Sequence, residues 1–168
     1  MHTLVPQKLT EEGFAPFGEV IDLRTAKQIP INYGLTTRFD NLCTVDTANE
    51  RGRTLVNVFR TDPIPLPHTV TIMERHPLGS QAFIPMSQNP FLVLVAPPSD
   101  TVSAKDLRLF ITNGQQGINF HKNTWHHYQL VLNEQMDFIV VDRGGDGNNL
   151  QEIEVEGDAV IHEPPVIV

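Results

Sequence analysis

The chain has 168 residues, with 12 Lys and Arg against 20 Asp and Glu, a formal charge of −8. That length suits a single domain, 1–168, able to bury roughly 70% of its unfolded surface, and 40% apolar residues argue against disorder. The acidic balance, without any basic cluster, argues against nucleic acid or an anionic membrane as partner, and no apolar run approaches the ~20 residues of a bilayer span.

Eleven glycines and 13 prolines punctuate short apolar runs, a pattern that predicts an all-β protein. In chain order, Thr10 is expected to cap a short helix over Glu11-Glu12-Gly13-Phe14. Strands are expected at Glu19–Leu23, Leu55–Arg60, His68–Arg75, Gln81–Pro85, Phe91–Val95, Arg108–Ile111, Gly117–His121, Tyr128–Leu132, Asp137–Arg143 and Ile153–Val155. Many are rich in Val, Ile, Phe and Thr, which suit a pleated, half-buried surface. Ser103–Asp106 reads as a short turn. Thr25–Glu50 reads equally as strands or a long loop. The apolar end Pro164–Val168 suits either a subunit interface or its own domain. Cys43, the single cysteine, allows no internal disulfide and carries no nucleophile context. Met1–Pro6 lacks a charged segment followed by an apolar one, so a cytoplasmic protein is expected.

Five of the seven histidines fall between positions 68 and 127, in two clusters. In the first, a strand over 68–76 would put His68, Val70, Ile72, Glu74 and His76 on one face, with Glu74 and His76 about 7 Å apart. That is the reach of one small ligand, although a solvent-facing pair beside the Pro77-Leu78-Gly79 turn fits the same spacing. In the second cluster, His121 and His126 are five apart, which is not the spacing of a helical zinc site. Trp125 beside His126 and His127 suggests an apolar wall, with His127 in a structural or surface role. Arg143, before Gly144-Gly145, could fork onto a carboxylate or form a surface salt bridge at a turn.

Glu74-Arg75-His76-Pro77-Leu78-Gly79-Ser80-Gln81-Ala82-Phe83-Ile84-Pro85-Met86 resembles the ureidoglycolate lyase family. The resemblance runs on through Arg108–Gly117, through His121-Lys122-Asn123-Thr124-Trp125-His126-His127, and through Val141-Asp142-Arg143-Gly144-Gly145. Phe14–Ile21 is also similar to the family. The resemblance implies a cupin-like double-stranded β-helix or jelly-roll barrel with a few short helices, in a homodimer. It implies cleavage of (S)-ureidoglycolate to glyoxylate and urea in allantoin degradation, by general acid and base elimination. A divalent metal, nickel among the candidates, comes with the same resemblance, on ligands drawn from His68, Glu74, His121 and His126. The His-x-His pair of the general cupin pattern is missing before Glu74.

For such a substrate, the base role falls to His121 or His126 and acid duty to Glu74 or His76. Arg143, with Lys122 or Arg75, is expected to hold the carboxylate. Gln81 and Asn113 are expected to read the ureido end, with Trp125 as a wall. The competing functions are an amidohydrolase that releases ammonia and a non-catalytic cupin sensor of small carboxylates.

Overall fold

The computed structural model describes residues 1–162; the apolar end at Pro164–Val168 lies outside the described residues. In chain order its elements are β1 (His2–Leu4), β2 (Gln7–Lys8), α1 (Glu11–Phe14), β3 (Gly18–Ile21), β4 (Lys27–Ile31), β5 (Thr36–Asp40), β6 (Arg53–Thr61), β7 (His68–Arg75) and β8 (Gln81–Pro85). There follow β9 (Phe91–Ala96), β10 (Val102–Ser103), β11 (Arg108–Ile111), β12 (Gly117–Phe120), β13 (Trp125–His126), β14 (Leu130–Val131), β15 (Met136–Gly144) and β16 (Gln151–Ile161). The expected all-β class holds, and the one α-helix among the described residues is the one turn that Thr10 caps, its hydroxyl accepting from the Gly13 N–H at 3.1 Å.

A curled nine-stranded sheet runs β1-β16-β7-β13-β9-β11-β2, with β10 added on β16 and β14 on β9. A five-stranded antiparallel sheet, β3-β12-β8-β15-β6, faces it as the second wall of a cupin-like sandwich. Phe83, Ile118, Phe120, Phe138 and Val140 from the smaller sheet meet Phe91, Val93, Val95 and Phe110 from the larger one. The rings pack edge-on or tilted, as at Phe91–Phe138 with centroids 5.0 Å apart, the arrangement aromatic quadrupoles favour. A second core lies on the other face of the large sheet, around Met73, Leu92, Leu94, Leu109, Trp125 and Ile161. β9 therefore buries both of its faces, which is why its sequence is one continuous apolar run.

Besides the short strands β1, β2 and β10, which the sequence does not predict, three regions differ from the expectation. Thr25–Glu50 resolves into a β4–β5 hairpin, paired from Lys27↔Asp40 to Ile31↔Thr36, then an extended segment and a single turn at Asn49–Arg51. The strand expected over Tyr128–Leu132 shortens to β14, paired Leu130↔Leu92 and Val131↔Phe91 on β9, while Trp125 and His126, outside the expected strand, pair with β9 as β13. In β7, Val70 and Met73 bury in the same core although they are three apart, while Ile72 is 36% exposed. The alternation slips opposite a bulge in β16 between Glu154 and Ala159, so the apolar wall expected at Val70 and Ile72 does not lead on to Glu74.

Candidate active site

Glu74 lies near the end of β7, and the β7–β13 ladder pairs it directly with His126. Two residues on, His76 brings a second imidazole to the same spot. One ligand atom from each of Glu74, His76 and His126 lies within 4.8 Å of the others. His126 is 1% exposed and stacks flat on Phe120, with centroids 4.2 Å apart and planes 12° from parallel. Its Nδ1–H donates to the Thr124 carbonyl at 3.0 Å, which leaves Nε2 as the atom facing Glu74 Oε1 at 3.5 Å. That separation is an electrostatic contact rather than a well-made hydrogen bond, and Nε2 is a buried polar atom without a hydrogen-bond partner. The His126 ring holds the Glu74 carboxyl below the usual carboxylate range, against the upward push of burial.

His76 faces two acceptors. Its Nδ1 stands 2.7 Å from the Asn149 carbonyl and its Nε2 stands 3.1 Å from Gln81 Oε1. Burial pushes its pKa below the ordinary imidazole value, while these acceptors and the Glu74 carboxylate pull the other way. The ring also lines a cavity of about 290 Å³ with Gln81, Asp142, Arg143 and the Asn148–Leu150 loop. That volume is at the small end of ligand pockets, suited to a small acid.

Arg143 enters this cavity as a 7% exposed guanidinium. Its Nε donates to the Asn49 carbonyl at 3.0 Å and its Nη2 to the Asp146 carbonyl at 2.7 Å. Among the described residues no carboxylate lies within ion-pair distance of it. A buried cation balanced only by carbonyl dipoles can take an anionic ligand as its counter-ion. Glycines make room for it: a Cβ on Gly79 would stand 2.7 Å from Arg143 Cβ, and one on Gly52 would stand 2.4 Å from Arg143 Nε. Gly145 serves the turn instead, at φ +135.

The other expected site residues are placed elsewhere. His121 is exposed after β12 and stands outside the Glu74 group. His68 packs against His127, Nε2 to Nε2 at 3.5 Å, and not against Glu74. Asn113 accepts from the Gln115 N–H in its own turn, beside Lys8 and Arg24, away from His76. Lys122 is tied to Asp46 at 2.7 Å and to Asn49 Oδ1 at 3.1 Å. Trp125 points into the second core, donating Nε1–H to the Ser99 carbonyl with the Arg75 guanidinium 4.3 Å above its ring. Sequence reasoning missed Asn149, whose carbonyl meets His76 and whose side chain accepts from the Leu78 N–H at 2.8 Å. No periodic signal marks that loop. It also missed Asp142, although the Phe138, Val140, Asp142 alternation aims it inward.

The donor set of one carboxylate and two imidazoles, with an orphaned buried Nε2 on His126, fits a divalent cation. His76 would join it only by giving up a hydrogen bond to Gln81 or Asn149.

A protein-family profile described as "Ureidoglycolate lyase" matches residues 1–162. Among curated proteins, the "Ureidoglycolate lyase" of Burkholderia mallei (strain NCTC 10229) is 55% identical over 152 residues, 90% of this chain and 89% of the relative. The "Ureidoglycolate lyase" of Pseudomonas fluorescens (strain SBW25) is 49% identical over 158 residues, 94% of this chain and 95% of the relative. That of Pseudomonas syringae pv. syringae (strain B728a) is 45% identical over 152 residues, covering 90% and 89%. With a half-buried Glu–His–His group beside an arginine that lacks a carboxylate partner among the described residues, and with identity at this level across nearly all of its length, the chain belongs to the ureidoglycolate lyase family.

Proposed function

We propose that the protein cleaves (S)-ureidoglycolate to glyoxylate and urea, a carbon–nitrogen lyase step of allantoin degradation, using one cupin-like domain in the cytoplasm. One observation carries this reading beyond the family name: His76 belongs both to the Glu74–His126 group and to the wall of the cavity that holds Arg143. The substrate has one carboxylate, and a hydroxyl and a ureido nitrogen on a single carbon. Arg143 receives the carboxylate as the counter-ion it lacks. Glu74, held ionised and with its side chain 32% exposed, takes the hydroxyl proton. The O–H electron pair closes the carbonyl, and the C–N bond breaks with its pair passing to the ureido nitrogen. His76 donates the proton that this nitrogen needs, and urea leaves without water being consumed. Of the two acid candidates, His76 is given the task because it, and not Glu74, lines the cavity that Arg143 enters. His126 stands behind Glu74 with Nε2 3.5 Å from its carboxylate, and His121 has no part in the scheme. Each proton transfer is worth ~10²–10⁴-fold.

A divalent cation, nickel among the candidates, would be held by Glu74 and His126 Nε2 with His76 in reach. It would supply a Lewis acid that acidifies the substrate hydroxyl.

A second copy of the chain completes the reading. β6 is the edge of the five-stranded sheet and exposes Val56 (71%) and Val58 (60%), so a two-fold copy of the same edge could pair with it. Light scattering on the purified protein, reading a mass of twice 18.8 kDa, checks it.

The deciding experiment quantifies glyoxylate, urea and ammonia from racemic ureidoglycolate against an enzyme-free control, before and after chelation. Equal glyoxylate and urea without ammonia supports the lyase. Ammonia release makes the protein an amidohydrolase. No acceleration in any metal state leaves a sensor of small carboxylates.

A further inference from the structure

Between β3 and β6 the chain leaves the body as the β4–β5 hairpin, and none of residues 27–40 is buried. A two-stranded hairpin with no layer packed on it is marginal in water. This one nevertheless ends in apolar side chains. Ile31 is exposed at the end of β4, and beyond it Tyr33 and Leu35 stand almost wholly in solvent. The turn that carries them is strained as well. Asn32, Tyr33 and Gly34 all have positive φ, and at φ +59 Tyr33 holds a left-handed conformation that a bulky side chain rarely adopts. A bare aromatic, held under strain at the tip of an unsupported arm, is what a docking contact would require.

The arm leaves the body beside a groove of about 470 Å³. Leu23 and Leu42, which flank the two ends of the hairpin, line it together with Ile21, Ile84, Pro85 and Met86. Ser87 lines it too, and its Oγ is buried with no hydrogen-bond partner among the described residues. Buried hydroxyls in that state are uncommon, and a phenol can both donate to one and accept from it.

Tip and groove do not meet within one chain, because five residues in each strand hold the tip about 17 Å from the arm's base. A two-fold axis through the middle of two arms, laid side by side in opposite directions, brings each tip onto the base of the other arm. We propose that the β4–β5 hairpin is an arm exchanged between two copies of this chain. Tyr33 and Leu35 of one copy fill the groove of the other, with the Tyr33 hydroxyl on Ser87 Oγ, and the reverse contact closes the pair. The exposed parts of Ile31, Tyr33, Leu35, Leu23, Ile84 and Met86 amount to roughly 800 Å² on each copy, which matches what each side of a stable interface covers. An aromatic anchor in an apolar pocket is also the kind of contact that carries most of an interface's energy. The arm contact is separate from pairing at the β6 edge, because β3, which leads into the arm, and β6 are opposite edges of the small sheet. It is independent of the lyase reading, so failure of either leaves the other standing.

The test reads assembly and contact separately on the full chain. In sedimentation equilibrium, Tyr33→Ser/Leu35→Ser is expected to halve the mass of the wild-type assembly, through a rise in Kd of at least about tenfold. Met86→Glu, which charges the groove, is expected to do the same from the other side. All three positions are exposed, so circular dichroism is expected to show both proteins folded. Should Met86→Glu not fold, the arm variant and the cross-link decide the matter. For the contact, Tyr33→p-benzoylphenylalanine is prepared as isotope-labelled and unlabelled chains, which are mixed and irradiated. The expected product, located by mass spectrometry, joins position 33 of one chain to residues 84–88 of another. A monomeric wild type, an arm variant that keeps the wild-type mass, or no inter-chain cross-link to residues 84–88 overturns the inference. A cross-link to β6 or to residues 164–168 does so too, and it names what meets the arm instead.

Discussion

His126 and His127 are neighbours in the chain and are buried to a similar degree, 1% and 4% exposed, yet they enter different chemical settings. His126 meets a carboxylate, a second imidazole at 5.1 Å between centroids and, through that imidazole, a cavity with an unbalanced arginine. His127 meets His68, with centroids 5.3 Å apart, and the ring of Tyr128 at 3.8 Å. Burial acts on both sites. His126 has a carboxylate within 3.5 Å, whereas around His127 burial dominates and pushes the pKa down to about 4. The difference teaches that burial by itself only disfavours the charged form of a histidine. A paired charge beside it, close to a ligand-sized space, makes it useful.

The comparison can be broken first at Glu74. Glu74→Gln keeps the shape and removes the proton acceptor, so kcat should fall by ~10²–10⁴-fold while the thermal midpoint stays near wild type. Glyoxylate release and a melting curve check both halves; unchanged kcat would take Glu74 out of the reaction. Arg143→Lys keeps the charge but loses the fork, and KM should rise about tenfold.

On the other side, His127 should move stability rather than turnover. Its groups in reach are His68, Tyr128, Glu74 and His126, and burial is the largest influence. The folded state holds the ring neutral while the unfolded chain takes a proton near 6.5, so unfolding binds a proton below that pH. Stability from this group is therefore complete above pH 6.5 and drains as pH falls toward about 4, by at most ~1.4 kcal/mol per pH unit. Denaturant unfolding at a series of pH values should show that slope in wild type and a flatter one in His127→Gln.

The smallest effect should come from Lys122→Ala. The ammonium of Lys122 is already paired with Asp46 at the rim, so the loss should stay under about 1 kcal/mol with KM within about threefold. A tenfold rise in KM would return Lys122 to the substrate carboxylate.

How much of this the residues announce depends on the range of the interaction that places them. β7, β8, β9, β12 and β15 are legible because each has several alternating or continuous apolar residues, and the sheet uses that pattern. β1, β2 and β10 are two or three residues long and exist only by pairing with distant partners, so no local period marks them. The slip in β7 follows from a bulge on another strand and is invisible in β7 itself. At the site, Glu74, His76, His126 and Arg143 stand out by residue type and motif. The exclusion of His121, Asn113 and Trp125 does not, because adjacency in sequence places Trp125 and His126 on opposite faces of one strand. Asp142 was masked by its own motif: beside Arg143 it reads as half of a surface pair, whereas the alternation from Phe138 turns it inward.

One pairing also governs how the molecule is made. β1 lies parallel to the end of β16, with His2 opposite Ala159, so β1 is made long before its partner. At ribosomal speeds of roughly 5–20 residues per second, that strand waits on the order of ten seconds or longer for its mate. Closure of the large sheet therefore waits on β16, whereas every strand of the smaller sheet has been made before β16 begins.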